Sequence, residues 1–178
     1  PLTGLADRVA LTERLTARLG SRGSPTATRP AVLFCDLDHF RRINDTYGHA
    51  VGDEVLREVG ARLLGQARRP QDIAGRLGGD ELALFLPGLI DVGTAMRRAD
   101  DVAGSITAPI ATSVGSLTVG VSIGVLVLES WGGLPPAGTV LRHADQAMYH
   151  AKRSGSRIHL FDMSETPVFE GDEVHPQR

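Results

Sequence analysis

Residues 76–85, "RLGGDELALF", place two glycines and two adjacent carboxylates between short apolar runs. Glycine readily adopts the positive φ angles that the favoured two-residue turns require. The segment therefore predicts a β-hairpin, with strands "DIAGRL" and "ELALFLPG" on either side of Gly78 and Gly79. A turn does not require Asp80 and Glu81 side by side, because like charges repel, so the acidic pair needs a reason beyond the turn.

Hydrophobic periodicity divides the rest of the chain between helices and strands. Helices are predicted over residues 3–19, 40–48, 52–67, 91–106 and 140–155. Thr3 is the expected N-cap of the first helix. The run "AVLFCD" predicts a buried strand that ends near Asp36, and "RIHLF" predicts a final strand. A second hairpin is expected from "ATSV" and "LTVGVSIGVLVL", closed at Gly115 and Ser116.

The mixture of helices and hairpins in this order predicts an α+β fold. We expect a mostly antiparallel central sheet flanked by helices, contained in residues 1–161. Residues 162–178 are polar, acidic and without periodicity, so they are interpreted as a C-terminal tail or linker. The chain starts at Pro1 and enters a predicted helix at once, so we expect a domain separated from an upstream partner.

Composition excludes several other classes of protein. The 178 residues carry a formal net charge of −2, which gives no basic surface for binding duplex DNA or RNA. One cysteine, Cys35, allows neither an intramolecular disulfide nor a thiolate zinc site, and it fits a reducing, cytoplasmic location. The longest apolar stretch, in "VGVSIGVLVL", is too short to span a bilayer.

Three carboxylates stand at predicted strand ends: Asp36 after "AVLFC", and Asp80 and Glu81 after the glycine turn. If the first strand pairs beside the hairpin, all three converge. Clustered carboxylates are costly unless a cation neutralises them, and a hard divalent ion with oxygen ligands is the usual solution. A cluster with Mg²⁺ suits phosphoryl or nucleotidyl transfer, because the ion keeps positions open for water and substrate phosphates. Solvated turn residues are the alternative interpretation.

Two other phosphate or metal motifs do not fit. In "DLDHFRRINDTYG", an EF-hand loop would match at Asp36 and Asp38. It fails at Phe40, where an oxygen ligand is needed, and at Arg41, where glycine is needed. A Walker-type phosphate loop is excluded because Gly-Lys-Ser/Thr occurs nowhere in the chain.

Five motifs follow one another along the chain: "PLTGLADR", "DLDHFRRINDTYGHAVGDEVL", "RLGGDEL", "VSIGV" and "ADQAMYHAKRSG". In this order and spacing the chain resembles the GGDEF family of diguanylate cyclases, over residues 1 to about 161. The resemblance implies a fold similar to the palm of nucleotidyl cyclases and some polymerases. It also implies that two GTP molecules are joined into cyclic di-GMP with release of two pyrophosphates. Two domains would face each other as a homodimer, under an upstream sensor domain.

The resemblance implies a role for each carboxylate. Asp36, Asp80 and Glu81, with the backbone carbonyl of Leu37, would bind two Mg²⁺ or Mn²⁺ ions per active site. Either Asp80 or Glu81 would help to deprotonate the ribose 3′-hydroxyl of GTP. The repulsion between the adjacent carboxylates of Asp80 and Glu81 would then be offset by the cations that lie between them.

By the same resemblance, a second set of groups contacts the triphosphate: Gly78 and Gly79, the backbone N–H groups of His39 and Phe40, and the side chains of Arg41 and Lys152. Backbone N–H groups at the start of a helix suit phosphate binding. Arg41 stands where the family usually has Lys, which keeps the charge and changes the geometry. For Lys152, a favourable interaction with the helix dipole is the alternative.

Asn44 and Asp53 match the residues with which the family reads guanine. Guanine presents N1–H and N2–H₂ donors side by side, and a carboxylate offers only acceptors, so Asp53 would discriminate GTP from ATP. Both residue types also favour helix N-caps, and spacing alone favours that interpretation. The motif is what favours guanine binding.

Upstream of the turn, Arg69 and Asp72 in "RPQD" match the family's RxxD inhibitory site at its usual offset. An arginine can donate two hydrogen bonds to O6 and N7 of guanine, or to phosphate. Cyclic di-GMP bound there would restrain the enzyme. RxxD alone is a weak pattern, so the interpretation depends on its offset from the glycine turn.

The chain departs from the family pattern at two positions. Leu82 replaces the Phe of the signature, for which we expect slight repacking. Ser156 replaces a phosphate-binding Arg that follows Lys152, so a weaker hold on the triphosphate and a higher KM for GTP are expected. Whether Arg157 substitutes is open. These departures leave a second hypothesis, a catalytically weak or inactive module that binds GTP or cyclic di-GMP as a regulator or receptor.

Overall fold

The computed structural model of the protein describes residues 2–20, 29–89, 91–128 and 135–162. All five predicted helices are found: α1 (Arg8–Gly20), α2 (Phe40–Tyr47), α3 (His49–Gln66), α4 (Val92–Thr107) and α5 (Ala137–Ser154). The strands in these ranges are β1 (Arg29–Asp38), β2 (Ile73–Gly78), β3 (Glu81–Leu89), β4 (Ile110–Thr112), β5 (Gly115–Leu117), β6 (Gly120–Val127) and β7 (Ile158–Leu160). The predicted tail lies outside the described residues except for Asp162. Among the described residues, no helix is long and apolar enough to cross a membrane.

Five of the strands form one sheet in the order β2-β3-β1-β6-β7. Every neighbouring pair is antiparallel except β6 and β7, which run parallel. The predicted α+β fold, with a mostly antiparallel sheet flanked by helices, is confirmed. β1 lies at the centre of the sheet, where the ladders to β3 and β6 occupy both of its edges.

The strands contribute to two cores because successive side chains of a strand point to opposite faces. In β1, Leu33, Cys35 and Leu37 pack into the core that α3 and α4 cover, whereas Val32 and Phe34 pack into the core under α1 and α5. Because both of its faces are buried, β1 has a continuous run of apolar residues rather than an alternation of apolar and polar residues. Burial raises the pKa of the Cys35 thiol to about 12, so the thiol stays protonated, as a buried small hydrophobic residue should.

Helix α5 packs directly on the backbone of β6. A Cβ atom at Gly124 would overlap the carbonyl oxygen of Ala144 and the backbone nitrogen of Met148. Only glycine permits this approach of helix to strand. The glycine of "VSIGV" thus has a packing role, and it helps to set the position of α5, whose last turn carries Lys152.

The predicted start of the first helix is wrong. α1 begins at Arg8, and Thr3 is buried well before it rather than capping it. The carboxylate of Asp7 instead accepts a hydrogen bond from the N–H three residues further on (2.8 Å), as an N-cap side chain does. The preceding residues do not join the helix because Ala6 forms a parallel bridge to Gly75 of β2.

The second predicted hairpin is wrong in its extent. β4 and β5 form a separate two-stranded sheet whose turn lies at Ser113 and Val114, not at Gly115 and Ser116. The chain leaves this ladder at Thr118, and β6 joins the main sheet between β1 and β7. The sequence does not indicate the boundary between β5 and β6, because the mostly exposed β5 is followed almost at once by the apolar, buried β6.

Candidate active site

The β2–β3 hairpin ends in a turn at Gly79 and Asp80. The predicted hairpin is confirmed, but its turn lies one residue later than expected, because Gly78 remains in β2, opposite Glu81. Gly79 has a φ of +40°, a left-handed conformation that favours glycine. The guanidinium of Arg76 donates two hydrogen bonds to the Gly79 carbonyl (2.9 and 2.6 Å), which fixes the turn that presents Asp80.

Strand pairing brings the three carboxylates to one end of the sheet. The register of β1 against β3 sets Asp36 opposite Glu81, and the N–H of Leu37 donates to the Asp80 carbonyl (3.3 Å). The predicted pairing of the first strand beside the hairpin is confirmed. Leu37, the residue expected to offer a backbone carbonyl, follows Asp36 on the same strand.

The surroundings of Asp36 and Glu81 disfavour their charged forms. Burial raises the pKa of Asp36 despite the hydrogen bond and charge of Lys152, and neighbouring carboxylates raise it further. Burial also raises the pKa of Glu81, with a further contribution from the charge of Asp145 and an opposing one from Arg8. A cation among these groups would relieve both effects.

Two basic side chains neutralise part of this negative charge. Lys152, the only lysine in the chain, lies with its Nζ 2.6 Å from Asp36 Oδ1. Burial alone would lower the pKa of Lys152, but the hydrogen bond and charge of Asp36 outweigh burial and raise that pKa. Arg8 of α1 donates to the Leu77 carbonyl through Nε (2.8 Å) and to Glu81 Oε2 through Nη2 (3.4 Å).

The donor set fits a hard divalent cation by its chemistry. Carboxylate and carbonyl oxygens are the ligands that Mg²⁺ and Mn²⁺ prefer, and three carboxylates exceed the two basic side chains that contact them. In the described part of the chain, however, no three acidic, histidine or cysteine side chains are grouped so that they could hold a metal ion. To bind a cation, Asp36 and Glu81 would have to exchange their ion-pair partners for it.

The segment between β1 and α2 carries the predicted phosphate-binding N–H groups. His39 has a φ of 56°, and among the described residues it is the only one besides glycine with a positive φ. This conformation is uncommon for a non-glycine residue and recurs at functional sites. Phe40 is buried and anchors the start of α2, whereas Arg41 is exposed, with its Nε 3.7 Å from Asp45 Oδ2. The backbone therefore turns sharply where phosphate binding is predicted.

Asn44 and Asp53 lie on two helices that meet at Gly52. The Asn44 side chain lies so close over Gly52 that a Cβ atom there would overlap its Oδ1. Asp53 follows directly on α3, and both residues are half-buried. Neither is an N-cap, because α2 begins after His39 and α3 begins after Gly48. The capping interpretation is therefore wrong for both residues.

A cleft of about 670 Å³ lies where α2, the start of β6 and the end of α5 meet. Its walls include His39, Arg42, Lys152, Ser156 and Arg157. Ligand pockets commonly enclose roughly 300–1,000 Å³, so the cleft has room for a small molecule. Most charged side chains of its walls are basic, which suits a ligand that carries phosphate.

Comparison with known proteins identifies the family. The family profile described as "Diguanylate cyclase, GGDEF domain" matches residues 1–157. The diguanylate cyclase TpbB of Pseudomonas aeruginosa is 42% identical over 159 residues, which cover 88% of this chain and 36% of TpbB. The chain belongs to the GGDEF family of diguanylate cyclases. It spans about a third of the length of TpbB and of the response regulator PleD of Caulobacter vibrioides.

Solved GGDEF structures share the fold. The GGDEF domain of TpbB from Pseudomonas aeruginosa gives a TM-score of 0.80 at 36% identity, and the match covers 90% of this chain and 92% of that one. The coiled coil and GGDEF domain of DgcB from Caulobacter crescentus, in complex with cyclic di-GMP, give a TM-score of 0.77 at 27% identity, covering 89% and 83% of the two chains. The predicted family and fold are confirmed.

The RxxD pair of this GGDEF domain forms a closed local turn before β2. The Arg69 N–H donates to Asp72 Oδ2 (3.1 Å), and the Asp72 N–H donates to the Arg69 carbonyl (2.9 Å). The Arg69 guanidinium donates through Nη1 to the carbonyl of Gly88 near the end of β3. The pair therefore lies at the opposite end of the hairpin from Asp80.

Sequence reasoning missed two side chains that act on the site. Arg8 is the last residue of the GGDEF motif "PLTGLADR" and pairs with Glu81, 73 positions away. Asp145 of α5, within "ADQAMYHAK", raises the pKa of Glu81. Their places inside family motifs were the available signal, but neither spacing nor composition indicates a partner so distant in the sequence.

Proposed function

We propose that the chain is a diguanylate cyclase domain that condenses two GTP molecules into cyclic di-GMP and releases two pyrophosphates. The observation that carries the proposal is the β1–β3 register, which sets Asp36 opposite Glu81 and beside the turn of Asp80. Carboxylates anchored on paired strands keep a defined spacing, and phosphoryl-transfer sites depend on such positioning.

Asp36, Asp80, Glu81 and the Leu37 carbonyl would hold the divalent cations, two Mg²⁺ or Mn²⁺ per active site. When bound, such ions lower the pKa of the ribose 3′-hydroxyl and neutralise charge at the α-phosphate. The charge balance supports this assignment, because burial and the charges of neighbouring carboxylates raise the pKa of both Asp36 and Glu81.

The chemical step forms two phosphodiester bonds in turn. In each, the 3′-hydroxyl oxygen of one nucleotide bonds to the α-phosphorus of the other, and pyrophosphate leaves with the electron pair of the broken P–O bond. Asp80 or Glu81 would accept the hydroxyl proton as a general base. Lys152 would bind a phosphate oxygen once Asp36 has another partner.

Asn44 and Asp53 would select guanine over adenine. The Asp53 carboxylate would accept hydrogen bonds from guanine N1–H and N2–H₂, and adenine has no such donor pair. The contact between Asn44 and Gly52 supports the pairing, because it holds the Asn44 amide against the turn of α3 that carries Asp53. We expect GTP to be used in strong preference to ATP.

Each domain would bind one GTP, so catalysis would require a homodimer whose two sites face each other. The activity per molecule should then rise with protein concentration until dimers predominate. We further propose that an upstream sensor domain, as the family resemblance implies, would control this association, and that the location is cytoplasmic.

Arg69 and Asp72 would bind cyclic di-GMP as an inhibitory product. Arg69 is exposed, and its guanidinium, which donates through Nη1 to the Gly88 carbonyl, would reach a ligand through its other N–H groups. The charges of Arg69 and Asp72 also act on Arg98 of α4, whose Nη1 is buried without a hydrogen-bond partner within the described ranges.

A module that binds guanine nucleotides without turnover is the second candidate, and Ser156 is the observation that favours it. Leu82 gives this candidate no support. Its side chain is fully buried in the core under α3 and α4, where Leu in place of Phe changes packing rather than the carboxylates. The carboxylate set favours the cyclase.

One assay separates the two candidates. Concentrated protein is incubated with GTP and Mg²⁺ or Mn²⁺, and the nucleotides are separated by chromatography. Cyclic di-GMP that forms with the wild type and disappears with Asp80→Ala supports the cyclase. GTP binding without product supports the module, and the absence of both binding and product contradicts both candidates.

A further inference from the structure

We infer that Arg157 supplies the cationic contact to the GTP triphosphate that Ser156 does not make. This inference rests on the proposed function and names a further substrate-binding residue of that site. The phosphate chain would be held from one position further along the sequence than in GGDEF domains with Arg in place of Ser156.

The backbone fixes Arg157 beside the cleft. α5 ends at Ser154, and Gly155 has a φ of +70°, which turns the chain out of the helix. The Arg157 carbonyl then accepts a hydrogen bond from the Ile123 N–H of β6 (2.9 Å). Arg157 is thereby anchored to the central sheet immediately before β7 begins at Ile158.

The Ser156 side chain is engaged locally. Its Oγ lies 2.7 Å from the Oγ of Ser154, and its N–H donates to the same Ser154 oxygen (3.3 Å). A hydroxyl group is short and uncharged, so it cannot replace a guanidinium that forks onto phosphate. A cationic contact at this end of the cleft must come from another side chain.

The cleft offers guanidinium groups without protein partners. Its basic lining residues are Arg42, Lys152 and Arg157, and Lys152 is paired with Asp36. In the part of the chain that the structure describes, the guanidinium groups of Arg42 and Arg157 make neither a hydrogen bond nor an ion pair. The one carboxylate in the lining, Asp38, accepts a hydrogen bond from the hydroxyl of a neighbouring serine (2.7 Å). The free charge of the cleft is therefore positive.

Two of the proposed phosphate contacts, His39 and Lys152, line the same cleft as Arg157. A triphosphate that contacts them would extend into the space beside Arg157. Planar guanidinium groups bind phosphate oxygens through two parallel hydrogen bonds, so Arg157 suits the β- or γ-phosphate. If Arg157 makes this contact, the higher KM for GTP that Ser156 is expected to cause appears in full only when Arg157 is also removed.

Calorimetry with 3′-deoxy-GTP and with GMP, both with Mg²⁺, tests the inference without turnover, because the deoxy analogue lacks the attacking hydroxyl. Arg157→Gln should bind 3′-deoxy-GTP about tenfold more weakly, and its affinity for GMP should be unchanged. Adding Ser156→Arg to Arg157→Gln should restore most of the affinity, whereas Ser156→Arg alone should change it little. Arg153→Gln is the matched control, since Arg153 lies over the Tyr149 ring on α5 and outside the cleft.

The outcomes separate this inference from the proposed function. If the wild type fails to bind 3′-deoxy-GTP, the proposed function fails. If the wild type binds and Arg157→Gln binds equally well, Arg157 has no such role and the proposed function stands. An equal loss for 3′-deoxy-GTP and GMP also overturns the inference. Arg157→Lys keeps the charge but loses the two parallel N–H donors of the guanidinium, so it should give an intermediate affinity for 3′-deoxy-GTP. Circular dichroism checks that each variant is folded.

Discussion

The two ends of the β2–β3 hairpin are built in different ways. At the turn end, the acidic pair meets Asp36 of another strand, and Asp36 is paired with Lys152, 116 positions away. At the other end, Arg69 and Asp72 are three positions apart and hydrogen-bonded to each other. The first end is assembled by long-range contacts among partly buried charges, and the second is an exposed local turn.

If the proposed function holds, catalysis and product inhibition would depend on different parts of the fold. A site assembled from several elements depends on strand register and on the balance of its charges. A local turn depends mainly on its own hydrogen bonds. The six residues of β2 separate the two ends by about 20 Å, well beyond the Debye length at physiological salt, so a change of charge at one end acts weakly on the other.

Removing Asp80 tests the turn end and should have the largest effect. Asp80→Ala removes a proposed cation ligand, so we expect cyclic di-GMP formation to fall about 10³-fold or more, with little change in melting temperature. Asp100→Ala, on an exposed position of α4, is the matched control and should remain active. An Asp80→Ala enzyme as active as the control would exclude this carboxylate from the chemistry.

Removing Arg69 tests the opposite end. Arg69→Ala should raise the concentration of cyclic di-GMP needed for half-inhibition roughly 10- to 100-fold, because a guanidinium fork onto guanine contributes about 1–3 kcal/mol. The initial rate should stay close to that of the wild type. Arg14→Ala, at an exposed position of α1, is the control. Inhibition that survives Arg69→Ala contradicts the separation of the two ends.

Gly52 and Gly65 of α3 differ in their surroundings. A Cβ atom at Gly52 would overlap the Asn44 side chain, whereas a Cβ atom at Gly65 would meet no other atom. Gly52→Ala should displace the Asn44 side chain and raise the KM for GTP up to about tenfold, through the loss of one or two hydrogen bonds to guanine. Gly65→Ala meets open space and should stabilise the helix by up to about 1 kcal/mol with unchanged KM. Equal KM values for the two variants would remove Asn44 from guanine recognition.

The smallest effect is expected at an exposed contact, between Glu54 and Ser113. Ser113 donates two hydrogen bonds to Glu54 (2.7 Å each), and they lower the pKa of Glu54 below its ordinary 4.5. The stability from this contact is therefore present above pH 4.5 and is lost as the pH falls through the lowered folded-state pKa. Melting temperatures of the wild type and Glu54→Gln should differ slightly at neutral pH and converge in acid. A difference that persists in acid would contradict this assignment.

The fold was largely predictable because its elements have clear periodicity. The errors occurred where tertiary contacts decide the outcome. Either Gly78 or Gly79 could begin the turn, and pairing of Gly78 with Glu81 decides between them. Likewise, Ala6 bridges to β2 and excludes Thr3 from capping α1.

The residues of the candidate site were predictable where they belong to a sequence motif. Their contacts with side chains from distant parts of the chain were not predictable. The sequence motifs pointed to Asp36 and Asp80, and the strand register sets Asp36 opposite Glu81, the residue after Asp80. Their grouping around a metal ion stays a prediction, because no such group of side chains is found in the described part of the chain. The pairing of Arg8 with Glu81 depends on how α1 packs beside the hairpin, which no local pattern encodes. The contact of Asn44 with Gly52 likewise depends on how α2 meets α3.

The most direct test of the account is Mn²⁺ binding in the presence of 3′-deoxy-GTP, followed by the electron paramagnetic resonance of free Mn²⁺. We predict that the Asp36→Asn variant binds Mn²⁺ about tenfold more weakly than the wild type, or worse, because a neutral amide replaces a charged carboxylate ligand. Arg69→Ala, at the far end of the hairpin, should bind Mn²⁺ like the wild type. Equal Mn²⁺ affinity in the wild type and Asp36→Asn would contradict the claim that these carboxylates hold a divalent cation against GTP.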